Sequence, residues 1–324
     1  MKVGIIGLGA MGGTHHSLLK AKGVTPHIVC DGDESKFAQF DATQHTTNYM
    51  DVINQSDIVF IATPTNLHAE MALASIEAGK ATFLQKPMAR TLDEAVAIRE
   101  KVKEKGVPFQ VGYIMRFSEA MKKLKQGISE IGNPVVWKEM WAVNGQGYPG
   151  WLFKQEGGGP LFEDSHMMDL ALWCLGSKPI HVVANIQQFC NFKYNDTVSM
   201  MITYENGSCL LWGDSWARGS SGQSSREPRR TFDIVGPKGH LCHPVKYKKE
   251  EDVQTTMKYD TNGQEQSSFA WNHLGIGGAY VSELDGFLDR VDGKESGGCT
   301  VDEAFEVMRI LDACERSNGK GVSL

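Results

Sequence analysis

The sequence predicts an α/β protein with a doubly wound parallel sheet first and an open, mainly antiparallel sheet in a second α/β domain. Three observations predict it. Apolar runs alternate with helical stretches over about the first 118 residues. A glycine-rich loop joins the first strand to the first helix. Long alternating strands with a hairpin signal then replace that pattern.

The opening strand is Lys2-Val3-Gly4-Ile5-Ile6, and Gly7-Leu8-Gly9-Ala10-Met11-Gly12 follows at once. A helix-compatible run covers about residues 14–20. In the G-x-G-x-x-G spacing, one glycine allows a tight turn and one lets the backbone approach a pyrophosphate. The third lets the helix pack close to the strand. The unpaired N–H groups and partial positive charge of a helix start then face the phosphates. A second strand, 27–30, ends in Asp31, which lies 19 residues after Gly12. An acid at about 20 residues is placed to meet a ribose hydroxyl pair. Strand, loop, helix, strand and acid in this order predict a bound dinucleotide. No arginine stands beside Asp31 to hold a 2′-phosphate, which favours NAD over NADP; Lys36 is the nearest cation and leaves NADP open.

The later elements follow the same alternation. Residues 58–63 form a continuous apolar run with β-branched side chains, as a strand buried on both faces requires. A helix over 67–78 stops at Gly79, and 81–84 is the next strand. An amphipathic helix over 92–105 stops at Gly106, and 108–111 is a further strand. Residues 120–128 read as a linker helix. Strands are expected at 135–143, 180–189, 198–204 and 208–216, with Glu205-Asn206-Gly207 turning the last two into a hairpin. One helix is expected over 160–175, with Pro160 near its first turn and Gly176 at its end. The Gly- and Ser-rich stretch 219–228 reads as a mobile loop, and 301–316 as a final amphipathic helix. The division is a dinucleotide-binding domain at 1–118 and a substrate-binding and oligomerisation domain at 119–324.

Ligands of such sheets bind outside the carboxyl ends of the strands. Thr63, Pro64, Asn66 and His68 follow one strand, and Gln85, Lys86 and Pro87 follow the next. These are candidate cofactor contacts, and Lys86 is also a candidate for chemistry. Past Gly157-Gly158-Gly159 lie Glu163, Asp164, His166 and Asp169. On one helix Glu163, His166 and Asp169 would share a face, with a carboxylate orienting the ring. Trp141, Asn144, Tyr148 and Trp151 precede the glycines, and they suit either a sugar face or the core. His15-His16 read as surface or phosphate-side histidines.

Composition excludes several classes. A net charge of −6 argues against nucleic acid as a main partner. The one basic cluster, Lys246-Tyr247-Lys248-Lys249, runs straight into Glu250-Glu251-Asp252 and reads as a solvated loop. Glycines interrupt the apolar start, which argues against a signal peptide. No run of about 18 apolar residues occurs, so no membrane span is expected. Seven scattered cysteines without a C-x-x-C pair fit reduced thiols in a cytoplasm. His240, Cys242 and His243 lack a partner cluster at zinc spacing, so no metal is expected.

The glycine loop, Thr63-Pro64 with His68, Lys86-Pro87, Tyr113-Ile114-Met115-Arg116-Phe117, and the triple glycine followed by His166 and Asp169 occur in a familiar order. The chain resembles the glucose-fructose oxidoreductase, inositol dehydrogenase and rhizopine catabolism (Gfo/Idh/MocA) family over essentially its whole length. The resemblance implies a Rossmann domain and a C-terminal domain whose open sheet packs against a partner subunit, in a homodimer or homotetramer. It allows the C-terminal helix to pack back on the first domain. It implies NAD(P)-dependent oxidation or reduction at a carbinol or carbonyl carbon of a sugar, sugar derivative or cyclitol. It maps the family's E-K-P lysine to Lys86 and its active-site histidine to His166, with Tyr113, Trp151, Glu163 and Asp164 as substrate-side candidates.

Two departures stand out: Gln85 replaces the glutamate of E-K-P, and the family's D-x-x-x-H is absent. Relatives of other kinds leave alternatives open. These are a non-catalytic NAD(P)-binding sensor, a dihydrodiol or bile-pigment type reductase, and an NAD-dependent glycosidase.

Overall fold

The computed structural model describes residues 1–190, 192, 194–217, 229–243, 254–271 and 276–324. The stretch 219–228, Pro244 and the charged run 246–252 lie outside the described residues. The chain forms two compact units, Met1–Phe117 with Gly278–Met308, and Ser118–Gly277 with Arg309–Leu324.

In the first unit strands and helices alternate. They are β1 (Val3–Ile6), α1 (Ala10–Ala21), β2 (Ile28–Cys30), β3 (Gln44–Thr46), α2 (Tyr49–Gln55), β4 (Ile58–Ile61), α3 (His68–Glu77), β5 (Ala81–Leu84), α4 (Leu92–Lys105) and β6 (Phe109–Val111). The strands pair in parallel in the order β3-β2-β1-β4-β5-β6. β1, β4 and β5 are buried along their whole length, which is why they read as apolar runs. Helix α4 has both expected ends. Thr91 and Glu94 form a reciprocal capping box, and Gly106 closes the helix at a φ of 63°. Helix α1 begins at Ala10, four residues before the expected start, so Gly12 and Gly13 lie inside it. Gly9 is extended and serves as its N-cap, which turns the end of the glycine loop into the first turn of the helix.

The second unit opens with α5 (Glu119–Ile131), β7 (Val136–Ala142), α6 (Gly159–Glu163) and α7 (His166–Leu175). It continues with β8 (Pro179–Gln187), β9 (Thr197–Tyr204), β10 (Cys209–Ser215), β11 (Arg229–Gly236), β12 (Gly239–His243), β13 (Gln254–Tyr259) and β14 (Glu265–Trp271). Helices α8 (Ile276–Val291) and α9 (Val301–Ser317) and strand β15 (Val322–Ser323) end the chain. One sheet has the order β14-β13-β12-β11-β7-β10-β9-β8-β15. Its pairs are antiparallel except β7 with β10. Burial alternates along β7, so Trp137, Glu139 and Trp141 face inward while Val136, Lys138 and Met140 face out.

The helix expected over 160–175 is two helices. Ser165 N bonds to Phe162 O and Met167 N to Asp164 O, both with a three-residue span that tightens the chain between α6 and α7. Glu163 therefore ends one helix and His166 begins the next, so they do not share a helical face. His166 and Asp169 remain three apart on α7, and Asp169 is fully buried.

The core of the first unit is aromatic. Phe60 of β4 and Phe83 of β5 stack at 5.3 Å, and Phe287 of α8 meets their edges at 5.5 and 5.3 Å. Burying such a side chain stabilises by roughly 1.5–3 kcal/mol. Arg116 follows β6 with its side chain only 3% exposed, and Nη1 donates to Glu303 Oε1 at 2.6 Å. Glu303 also caps α9 by accepting from Thr300 N at 2.8 Å.

Arg116→Met leaves the Glu303 carboxylate without its guanidinium. The expected cost is about 1–2 kcal/mol, the loss of a charge-assisted hydrogen bond to a partly exposed carboxylate. A urea midpoint unchanged from that of the parent chain contradicts this.

Candidate active site

The carboxyl ends of β1, β4 and β5 lie side by side, so the loops that follow them meet along one edge of the first unit. After β1, Gly7 takes a φ of +92°, and a Cβ there would stand 2.5 Å from Ala62 O. A Cβ on Gly12 would stand 1.9 Å from Gly7 O, so the helix sits as close to the strand as a glycine allows. A Cβ on Gly9 would meet nothing within 4 Å, which leaves an open cradle above that backbone. The first turn of α1 carries no acid, so nothing competes with an anion at its N–H groups. Leu8, Ala10 and Met11 complete this loop and first turn.

Asp31 follows β2 and is held in place by four hydrogen bonds from three donors. Oδ2 accepts from Leu8 N at 2.7 Å, Oδ1 accepts from Asp33 N at 2.9 Å, and Lys36 Nζ reaches both oxygens at 3.0 and 2.9 Å. Burial pushes the carboxyl pKa up. The Asp33 and Leu8 N–H groups and the Lys36 cation outweigh that effect and hold it below the ordinary value.

After β4, Thr63 Oγ1 is buried without a hydrogen-bond partner among the described residues. Pro64 and Asn66 are exposed beside it. His68 is 1% exposed, with Nδ1 at 2.8 Å from Pro87 O and Nε2 at 2.9 Å from Thr63 O. It thereby ties the loop after β4 to the loop after β5, and its buried ring has no nitrogen left over. Burial lowers its pKa against the pull of the two carbonyl oxygens, and a neutral ring donates to only one of them.

After β5, Gln85 is buried and its Nε2 donates to His15 Nε2 at 2.8 Å. His15 is buried as well, contrary to the surface reading, with its ring 5.2 Å from Phe60 and 4.8 Å from Phe83. Burial lowers its pKa from 6.5 to about 4. Lys86 follows, half-buried. Tyr113, a substrate-side candidate on sequence, is 1% exposed in this unit.

The second unit gathers a separate polar group. Glu163, Asp164 and His166 are half-buried at the break between α6 and α7. Tyr148 stacks on Trp216 at 4.4 Å and 7°, and Trp216 Nε1 donates to Asp214 Oδ2 at 2.9 Å. Asp214, near the end of β10, is fully buried. Burial, then the charge of Asp164, pushes its carboxyl well above the ordinary 3.8. Burial and the charges of Asp164, Glu163 and Asp214 likewise push the Tyr148 phenol up. These four side chains therefore share one neighbourhood, with His166 two residues from Asp164. Trp151 is half-buried against the adjoining cluster of Val143, Leu152, Phe153 and Trp216.

Two of the aromatic-segment candidates are structural. Trp141 is buried and its Nε1 donates to Glu139 Oε1 at 2.6 Å; Asn144 Oδ1 accepts from Gln146 N at 3.0 Å. Asp214 and Trp216 were outside the sequence-derived site. The signal for them was one acid in an otherwise apolar strand, Leu210-Leu211-Trp212-Gly213-Asp214. Along β12, His240 stacks on Tyr259 and His243 on Phe232, and no group of three metal-ligating side chains occurs among the described residues.

Residues 1–113 match a family described as "Oxidoreductase family, NAD-binding Rossmann fold", and residues 125–324 match its "C-terminal alpha/beta domain". The scyllo-inositol 2-dehydrogenase (NAD(+)) of Bacillus subtilis (strain 168) is 32% identical over 189 residues, 55% of each chain. The match thus spans about half the length of that curated relative. Inositol 2-dehydrogenase 2 of Saccharopolyspora erythraea is 26% identical over 99% of this chain and 94% of its own. A solved levoglucosan dehydrogenase in complex with NADH and L-sorbose has the same fold. Its TM-score is 0.82 at 21% identity, covering 100% of this chain and 98% of that one.

The cradle fits NAD: the space above Gly9 is open to a pyrophosphate, Asp31 is ionised after β2, and the Thr63 hydroxyl has no partner among the described residues.

Gly9→Ala is expected to leave stability within about 0.5 kcal/mol, while NADH binding weakens by about tenfold or more. Gly12→Ala forces α1 off β1 and is expected to cost about 1–3 kcal/mol. Urea unfolding and fluorescence titration read both, and equal stabilities for the two variants contradict the packing described.

Asp214 is protonated in the fold at pH values where the unfolded chain ionises it. Its favourable contribution is complete below about 3.8 and is lost as pH rises toward its folded value. The melting temperature of the parent chain should therefore fall relative to Asp214→Asn as pH rises from about 4 to neutrality. Parallel profiles contradict this.

Proposed function

This chain belongs to the Gfo/Idh/MocA oxidoreductase family, and we propose that it transfers a hydride between NAD(H) and a carbinol or carbonyl carbon. The substrate class is a sugar, a sugar derivative or a cyclitol. The observation that carries this reading is the lysine at the end of β5. Lys86 stands at the same strand-end edge as the glycine cradle and the Thr63 hydroxyl, which has no partner among the described residues.

When bound, NAD supplies the hydride acceptor, its nicotinamide C4, and NADH the donor. The protein supplies orientation and proton movement. Lys86 hydrogen-bonds the reacting oxygen and stabilises the negative charge that grows on it. His166 takes the hydroxyl proton in oxidation and returns it in reduction. Histidine suits both directions because its ordinary pKa is about 6.5. Asp164 and Glu163 accept hydrogen bonds from neighbouring substrate hydroxyls. The buried acid Asp214 and the Tyr148–Trp216 stack steady the break between α6 and α7, and Trp151 offers a flat face to a ring. Asp164 takes the part that an acid four residues before the histidine plays in the D-x-x-x-H pattern.

We further place the enzyme in the cytoplasm as a homodimer or homotetramer through the outer face of the second unit's sheet. Seven free cysteines support the first point. No helix among the described residues is long and apolar enough to cross a membrane. Val136, Met140, Leu211 and Val235 are exposed on that sheet face, which supports the second point.

Lys86→Ala and His166→Ala are each expected to reduce turnover about 10²–10⁴-fold. NADH binding should survive in the His166 variant. A panel of cyclitols and sugars, followed by nicotinamide absorbance, is the assay. Full activity of His166→Ala on the substrate that the parent chain turns over contradicts the assignment.

A further inference from the structure

We propose that Lys36 sets the dinucleotide specificity of this chain: its ammonium masks Asp31 and binds a 2′-phosphate, so the site takes NADP(H) as well as NAD(H). The proposal rests on the NAD-dependent reading above and concerns the adenosine end of that same site. Asp31 follows β2, where an acid of this fold meets the adenosine ribose.

A carboxylate offers about four acceptor positions. All of those on Asp31 are taken. Backbone N–H groups hold two of them, Leu8 N at 2.7 Å and Asp33 N at 2.9 Å. Lys36 Nζ holds the others, at 3.0 Å from Oδ1 and 2.9 Å from Oδ2. The backbone donors belong to the glycine loop and to the turn after β2. The lysine is the one donor on a long, flexible stem. A ribose diol brings two hydroxyl donors, and the positions that can be vacated for them are those under Lys36. NAD(H) must therefore displace the ammonium from the acid. A 2′-phosphate brings an anion instead. The ammonium can then stay on Asp31 and compensate its charge. Its third N–H has no acceptor among the described residues and is left for the phosphate.

The turn that carries Lys36 is well anchored. Asp33 caps the 3₁₀ helix Glu34–Gln39, and its Oδ1 accepts from Ser35 N at 3.0 Å and Ser35 Oγ at 2.6 Å. The Phe37 ring lies 5.3 Å from that of His45 and packs on the core of the first unit. The Lys36 side chain is 35% exposed and that of Asp31 13%, so the pair is shielded yet open on the lysine side. A Cβ on Gly32 would meet nothing within 4 Å, which leaves room beside the pair. Lys36 is also the only Lys or Arg between Asp31 and Thr43. The other charged side chains of the turn, Asp33 and Glu34, are acidic and exposed. Without Lys36 the turn would meet a 2′-phosphate with carboxylates alone.

The test is binding rather than turnover. The purified full chain is titrated with NADH and with NADPH by fluorescence, and the two Kd values are compared among variants. The parent chain is expected to bind both. Lys36→Met keeps the stem and removes the charge. It is expected to weaken NADPH binding by about tenfold or more, the loss of a charge-assisted contact to phosphate. NADH should bind this variant at least as tightly as the parent, because the ribose no longer competes with an ammonium. Lys36→Arg keeps the charge and should hold the ratio of the two Kd values within about threefold of the parent.

A parent chain that binds NADH without measurable NADPH binding overturns the proposal. So does a Lys36→Met variant whose ratio is unmoved, or whose two affinities fall together, the result if the lysine only steadies Asp31. A loss of NADPH binding in Lys36→Arg as large as in Lys36→Met also overturns it, since charge is then not the cause. A parent chain that binds neither dinucleotide refutes the NAD-dependent reading itself.

Discussion

A strand buried on both faces can present polar groups only at its ends, and the first unit is organised around that constraint. β1, β4 and β5 have no accessible face. Their side chains interlock with Phe287 from the returning segment, so the interior carries no chemistry. Every candidate group of this unit therefore stands where a strand gives way to a loop. Gly7 to Gly12, Thr63, and Gln85 with Lys86 are neighbours for that reason alone. His68 is the clasp between the last two, joining Thr63 O to Pro87 O. The polar groups nearest the core, His15 and His68, are both held toward the neutral form by burial.

The second unit solves a different problem. Its wide sheet has one face packed against α5 and α6 and one left open, and burial alternates along β7 accordingly. Polar residues on the covered face need partners. Glu139 takes the indole N–H groups of Trp137 and Trp141, and Asp214 takes that of Trp216. A buried acid that keeps its proton can sit close to Asp164 without the repulsion of two full charges. That tolerance lets several carboxyl groups gather at the break between α6 and α7, beside His166.

Most of the fold was legible because its signals are local. The stops at Gly79 and Gly106 and the Glu205-Asn206-Gly207 hairpin depend on residues a few positions apart. The four strands expected between 135 and 216 fall within two residues of their observed ends. The misread elements depend on packing. The run 160–175 keeps its apolar residues at helical spacing across Ser165, so periodicity cannot show that the chain tightens there. His15 looked like a surface residue because nothing local foretells Phe60 and Phe83 beneath it. Asp214 meets Asp164 from fifty positions away, and only the fold supplies that meeting. The strand-end candidates could be found because their positions follow from sheet topology, whereas the carboxyl–aromatic network had no local mark beyond one acid in an apolar strand.

The most direct test follows the hydride itself. A panel of cyclitols and sugars carrying deuterium on their carbinol carbons is incubated with the protein and NAD⁺, and the nicotinamide is examined by mass spectrometry and NMR. Direct transfer predicts deuterium at C4 of the reduced nicotinamide, on one face of the ring, with His166→Ala slowing its appearance. Deuterium that is released to water, or that never leaves any carbinol carbon in the panel, contradicts hydride transfer at this site.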